Sequence, residues 1–318
     1  MSHVLVTGAS GFVGRALSRA LISNGQTVTG MVRHVGGCAS GAREWVSDSK
    51  DFIHLANVWP QTLKPDCVVH LAARVHVLDE GAADPHAAFR ATNVEGALRV
   101  ADVARQRGVR RLIFVSSIKA MAEIDVGRPL REDDPPLPKD AYGCSKLEAE
   151  DALVRYGSES GLDVVIVRPP LVYGPGVGAN FLRLLDAVWK GVPLPLSAIS
   201  AKRSLVYIDN LVDVLVQCST DPRAAGECFH VADGNDLTVS ELVRAIGKHL
   251  ERPARLFPLP ASLLQMAGRL TGRSPQIDRL IGSLQVDTTR IRTVLGWRPR
   301  YSTDDGLAAT ARWYRSTH

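Results

Sequence analysis

The opening fourteen residues constrain this chain more than any other stretch. A short apolar run, Val4–Thr7, passes into G-A-S-G-F-V-G, which sets Gly8, Gly11 and Gly14 at a turn before a helical pattern over Ala16–Ser23. Strand, glycine turn and helix in that order make a phosphate cradle. Glycine permits the tight turn, lets a ligand approach the backbone, and allows the helix to pack close to the strand. The start of the helix then offers unpaired N–H groups and the positive end of its dipole to a pyrophosphate. A dinucleotide-binding unit is therefore expected at the beginning of the chain.

The pattern that follows fits such a unit. Thr27–Val32, Cys67–Ala72, Arg111–Val115 and Val164–Val167 read as buried strands, with helical periodicity over Phe89–Gln106 and Ala141–Tyr156. Continuously apolar strands alternating with helices imply an α/β chain with a doubly wound parallel sheet, the Rossmann class. Beyond about residue 174, prolines such as Pro175, Pro193, Pro195 and Pro222 break the chain into shorter pieces. Helices are expected there over Phe181–Lys190, Val239–His249 and Ala261–Leu270. The expected division is a dinucleotide-binding domain over 1–174 and a smaller C-terminal α/β substrate lobe over 175–318. Leu205–Ile208 and Cys228–Val231 are candidates to return to the main sheet.

Composition narrows the function. At 318 residues and 45% hydrophobic, the chain can bury a full core. Its net charge of +5 comes from arginines spread along the sequence, and aromatics are only 6%. No nucleic-acid partner is expected from that distribution. No apolar run approaches a membrane span, and the N-terminus has no leader-like pattern, so a cytoplasmic protein without a membrane partner is expected. Cys38, Cys67, Cys144, Cys218 and Cys228 are scattered and odd in number, which points to reduced thiols and no metal site.

Tyr142 and Lys146, in A-Y-G-C-S-K, stand four apart and share one helix face. A tyrosine is a poor acid or base near neutrality; an adjacent ammonium is expected to stabilise its phenolate and lower its pKa. Ser117 follows the strand Arg111–Val115, at the carboxyl end where open α/β sheets meet their ligands. It can hydrogen-bond an oxygen that is alternately hydroxyl and carbonyl. Arg33 ends the second strand, where an acidic side chain would grip a ribose 2′-hydroxyl. An arginine there pairs with a 2′-phosphate and tilts the expected cofactor from NAD toward NADP. His70, inside a strand pattern, reads as a satisfied buried histidine.

Together with V-V-H-L-A-A at 68–73, T-N-V-E-G at 92–96, V-S-S at 115–117, R-P-P-L-V-Y-G-P-G at 168–176 and R-S-L-V-Y-I-D-N at 203–210, these motifs carry a resemblance. The chain resembles the extended short-chain dehydrogenase/reductases, a group that contains nucleotide-sugar epimerases, dehydratases and ketoreductases. The likeness implies that Tyr142 donates or accepts a proton, that Lys146 activates it and binds the cofactor ribose, and that Ser117 holds the sugar oxygen. It further implies cofactor contacts from Gly8, Gly11, Phe12, Val13 and Gly14, from Asp48 and Ser49 at the adenine, and from Leu71, Ala72 and Ala73. Asn93 resembles an asparagine that braces the site. Arg203, Asn180 and Arg279 are the implied contacts to a nucleotide-sugar substrate. Homodimers through helices flanking the sheet are usual in such proteins.

Two departures matter. Dehydratases of this kind carry acidic residues directly after the catalytic hydroxyl, where this chain has Ile118 and Lys119; dehydration is not expected. Leu171 stands where many UDP-galactose-type epimerases have a phosphate-contacting asparagine. The fragments S-S-I-K, R-P-P-L-V-Y-G-P-G and S-L-Q-V-D are most similar to bacterial surface-polysaccharide enzymes acting at C4 of UDP-N-acetylhexosamine derivatives. The resulting expectation is a 4-ketoreductase, with a UDP-sugar 4-epimerase as the alternative and a redox-silent dinucleotide sensor behind both.

Overall fold

The structure is a computed structural model that describes residues 2–75, 84–272 and 274–318. Eleven strands are described: β1 His3–Thr7, β2 Thr27–Val32, β3 Arg43–Val46, β4 Cys67–His70, β5 Arg111–Val115, β6 Asp163–Arg168, β7 Leu171–Tyr173, β8 Lys202–Arg203, β9 Leu205–Tyr207, β10 Cys228–His230 and β11 Leu237–Thr238. Seven of them form one sheet in the order β3-β2-β1-β4-β5-β6-β10, and every pairing in it is parallel. Strand order reverses between β1 and β4. Thr7, the last residue of β1, lies opposite Met31 of β2 on one side and His70 of β4 on the other. The segments that leave these three strands therefore emerge together at one edge, the crevice where doubly wound sheets bind ligands.

Strands buried on both faces need helices on both. Helix α1 (Phe12–Ser23) covers one face with Ala16, Leu17 and Leu21, in one core with Val4, Val6 and Val28. The other face buries Leu5, Val68, Leu112, Phe114 and Ile166 against helices further along. After the single turn α2 (Leu55–Val58), helix α3 (Pro85–Arg90) continues through a π-helical turn, Ala91–Glu95, into α4 (Gly96–Gln106). The helix expected over Phe89–Gln106 is thus present with a widened turn at Asn93. Helix α5 (Ala141–Ser160) starts on an Asp140 cap whose carboxylate accepts from Gly143 N at 2.7 Å, and it ends on Gly161 at φ +74°.

Helices α6 (Ala179–Trp189), α7 (Ile208–Thr220), α8 (Val239–His249), α9 (Ala261–Leu270), α10 (Ser274–Ile281), α11 (Thr289–Leu295) and α12 (Thr303–Thr317) complete the chain. The three helices expected in this half are there, within two residues of their expected ends. Cys228–His230 does pair with β6 at the sheet edge. Leu205–Tyr207 does not return to that sheet; as β9 it pairs with β7 in a separate two-stranded ribbon, while β8 pairs with β11. Among the described residues, no helix is long and apolar enough to cross a membrane.

Candidate active site

A cavity of about 600 Å³ opens at the carboxyl ends of β1, β2 and β4. Gly8, Gly11, Arg33, Asp48, Ser49, Leu71, Ala72 and Ala73, all expected at a cofactor, line it. Ser10, Lys50, Asp51, Phe52, Arg74 and Thr92 line it too and were not anticipated, although each lies within a few residues of one that was. Asp48 sits two residues beyond the end of β3. Phe12, Val13 and Gly14 are not on the cavity wall. Phe12 and Val13 pack against the core, and Gly14 is buried behind the turn.

The glycines fit a pyrophosphate for steric reasons that can be stated atom by atom. Gly8 has φ +67°, and a Cβ there would come within 2.9 Å of Ala72 N. A Cβ on Gly14 would meet Gly8 O at 2.2 Å and Ala9 Cα at 2.7 Å. The Gly11 cap of α1 makes no side-chain hydrogen bond, so the first turn of the helix is free to meet an anion. Gly14→Ala should therefore force the turn apart and weaken dinucleotide binding by roughly 10–100-fold, the equivalent of an overpacking strain of about 1–3 kcal/mol. Titration calorimetry with NAD on the variant checks this.

The three expected catalytic residues, Ser117, Tyr142 and Lys146, meet where the end of β5 faces the start of α5, and none of them lines this cavity. Ser117 caps the short turn Ile118–Ala120 after β5, its Oγ accepting from Lys119 N at 3.2 Å. That turn presses on the start of α5: a Cβ on Gly143 would lie 2.4 Å from Lys119 O. Tyr142 is half-buried on the first turn of α5, its ring edge-on to Phe89 at 6.2 Å between centroids. One turn on, Lys146 is 1% exposed. Its Nζ donates to Val115 O at 2.8 Å and lies 4.1 Å from the centre of the Phe114 ring.

The electrostatics correct one expectation. In the protein without ligand the Tyr142 phenol is not acidic. Burial pushes its phenol up to about 12, Asp140 adds to the rise, and the Ser117 hydroxyl beside it pulls weakly the other way. Burial lowers Lys146 to about 7 against the pull of Glu150. The reason is common to both groups: the site is dry, and burial disfavours the charged form of each.

Asn93 braces this arrangement from the π-helical turn. Its Oδ1 accepts from Arg74 N at 2.8 Å, and its Nδ2 donates to Arg74 O at 3.0 Å and to Ser145 Oγ at 2.9 Å. Next to it, Thr92 Oγ1 donates to Asp51 Oδ1 at 2.5 Å. One turn thus ties the cavity wall, the segment after β4 and the catalytic helix together. His70 is buried as expected but only half satisfied. Its Nδ1 meets Thr7 Oγ1 at 2.8 Å while Nε2 has no partner among the described residues, and burial lowers its pKa to about 3.

A second cavity, of about 690 Å³, lies between α9–α10 and the segments around Glu123 and Asp140. Arg279 and Lys139 line it. Arg279 Nε is 3.5 Å from Glu123, and Lys119 joins Glu123 at 3.5 Å to Asp140 at 2.5 Å. Ile118, one of the two residues replacing a dehydratase acid pair, is 2% exposed. Arg203 is half-buried on β8, where burial lowers its pKa against the opposing pull of Asp125, and Asn180 is exposed in the first turn of α6. Neither lines the two cavities.

Comparison with known proteins adds to this geometry. The model of the NAD dependent epimerase/dehydratase family matches residues 4–232. The chain belongs to that family. A UDP-glucose 4-epimerase from Vibrio cholerae is 42% identical over 316 residues, covering 97% of this chain and 94% of that protein. Another, from Mycolicibacterium smegmatis, is 30% identical over 99% of both chains. The crystal structure of a Thermotoga maritima UDP-glucose 4-epimerase with UDP-glucose superposes with a TM-score of 0.81 at 24% identity, covering 99% of each chain. Membership makes the chain an enzyme of that family.

Proposed function

We propose that the protein is a UDP-sugar 4-epimerase that interconverts UDP-glucose and UDP-galactose with NAD as a resident cofactor. The observation that carries this choice is the 42% identity, over 97% of the chain, to the Vibrio cholerae UDP-glucose 4-epimerase. The 4-ketoreductase expectation rests, by contrast, on Arg33 and short motif likenesses. Arg33 shares the cavity wall with Lys50, but also with Asp48 and Asp51. A wall of both signs gives a 2′-phosphate no clear advantage, and the family's NAD dependence supports NAD.

When bound, the dinucleotide supplies the hydride acceptor and donor and, oxidised, a positive charge. Gly8, Gly11 and the start of α1 would hold its pyrophosphate, and the wall from Asp48 to Phe52 its adenosine end. Tyr142 takes the proton from the sugar O4 and returns it, with Ser117 holding the same oxygen through its hydroxyl. Lys146, anchored on Val115 O, keeps a cation one turn from the phenol. Water elimination has no support, since Ile118 faces the core and Lys119 is engaged by Asp140. The second cavity, with Arg279 and Lys139, supports a place for the substrate's nucleotide diphosphate; Arg203 and Asn180 remain in the proposal as contacts at its margin. The proposal includes a homodimer through α4 and α5.

The test is incubation of the purified protein with UDP-glucose, and in parallel UDP-N-acetylglucosamine, without added cofactor. Formation of the 4-epimer without net change in nicotinamide absorbance is expected, with NAD released on denaturation. Turnover that instead requires NADPH and a UDP-4-keto sugar would replace the epimerase by the reductase.

A further inference from the structure

Lys146 is almost completely buried, yet its side chain has one carbonyl and one aromatic face for company. A buried carboxylate lies one turn further along α5. Glu150, whose side chain is 2% exposed, follows Lys146 by four residues on the face that also carries Tyr142. Arg168, at the end of β6, clamps that carboxylate: Nε lies 3.1 and 3.0 Å from the two oxygens, and Nη2 lies 2.5 Å from Oε2. Arg168 Nη1 also reaches Glu132 O at 3.4 Å. Sheet and helix thus hold one carboxylate at a fixed place beneath the catalytic lysine.

We propose that Glu150, held by Arg168, is a positioning residue that keeps Lys146 in its ammonium form beside Tyr142. The other groups around the lysine cannot do this. On its own helix, Tyr142 is uncharged unless it reacts. From β4, His70 is neutral at working pH, and from β5 come only the Phe114 ring and the Val115 carbonyl. The turn bearing Asn93 contributes a neutral amide through Ser145. Arg168, from β6, carries the wrong sign and lies behind the carboxylate. Burial alone drives a lysine toward the neutral amine, and among the described residues Glu150 is the one opposing charge acting on it. A purely structural reading, in which the pair merely staples α5 to β6, predicts no effect on proton affinity.

The inference rests on the proton role given to Tyr142 above, and one readout needs no sugar turnover. Ultraviolet difference titration of the NAD-loaded protein, with Tyr142→Phe as the blank, follows the tyrosinate of Tyr142. In Glu150→Gln its midpoint should rise by about one pH unit, because the ammonium that favours the phenolate is lost. Glu150 itself sits two turns, about 12 Å, from Tyr142, so its direct effect is weaker and of opposite sign. With UDP-glucose as substrate, kcat near neutrality should fall roughly tenfold with KM within about threefold, and Glu150→Asp should recover part of it. Should the single variant fail to fold, Glu150→Gln/Arg168→Gln removes both charges and should show a smaller shift in the same direction. A tyrosinate midpoint unchanged in either variant overturns the inference. Absence of epimerisation by the parent protein overturns only the proposed reaction.

Discussion

Replacing Tyr142 by phenylalanine is expected to lower turnover of the UDP-sugar by roughly 10²–10⁴-fold, the range a positioned proton-transfer group contributes. The change removes one oxygen and leaves the ring against Phe89, so neither packing nor the dinucleotide cavity should respond. Bound NAD and the melting temperature are therefore expected to match the parent protein. Burial places the phenol far above neutrality in the protein alone. A group so reluctant to lose its proton is useful only when bound ligand and a nearby ammonium assist it, which is why both Lys146 and the cofactor matter. Steady-state kinetics on the variant decide the point: activity within a few-fold of the parent would remove Tyr142 from the chemistry.

The second large effect is on stability. Arg168→Met should destabilise the fold by about 3–5 kcal/mol, because it strands the Glu150 carboxylate in a site 2% exposed. Calorimetry should show a fall in Tm of about 5–15 °C. Combining Arg168→Met with Glu150→Leu should restore much of that loss, since a buried ion pair is often no better for stability than apolar groups of similar volume. The contrast separates two consequences of one pair. Its removal as a unit is tolerable to the fold, whereas the proton affinity of Lys146 should still change. A single variant as stable as the parent would show that the carboxylate finds water or another partner.

Much of this was legible in the residues. The strand–glycine–helix opening, the alternation of apolar strands with helices and the four-residue spacing of Tyr142 and Lys146 are local signals, and the structure places them as local physics dictates. Asn93 was legible only as a likeness; that it reaches Ser145 of α5 and Arg74 depends on a π-helical turn, which leaves no periodic mark. The Arg168–Glu150 clamp was missed for a similar reason. Glu150 could have been found as the next residue on the Tyr142–Lys146 face. Its partner comes from a strand whose alignment with that helix only the sheet order supplies. The cavity of Glu123, Lys139, Asp140 and Arg279 joins segments far apart in sequence, and no pattern within any one of them foretells it. The expected acidity of Tyr142 failed because spacing reports proximity along a helix and says nothing of how dry the site is.

The return of β10 to the sheet bears on how the molecule is made. Cys228–His230 leaves the ribosome about sixty residues after the strand it must cover. At ~5–20 residues per second, the flank of Val164–Val167 waits bare for roughly 3–12 s during synthesis. An unpaired, apolar strand edge is a template for pairing with other chains. Nascent molecules on one polysome thus carry an edge open to pairing with one another during that interval.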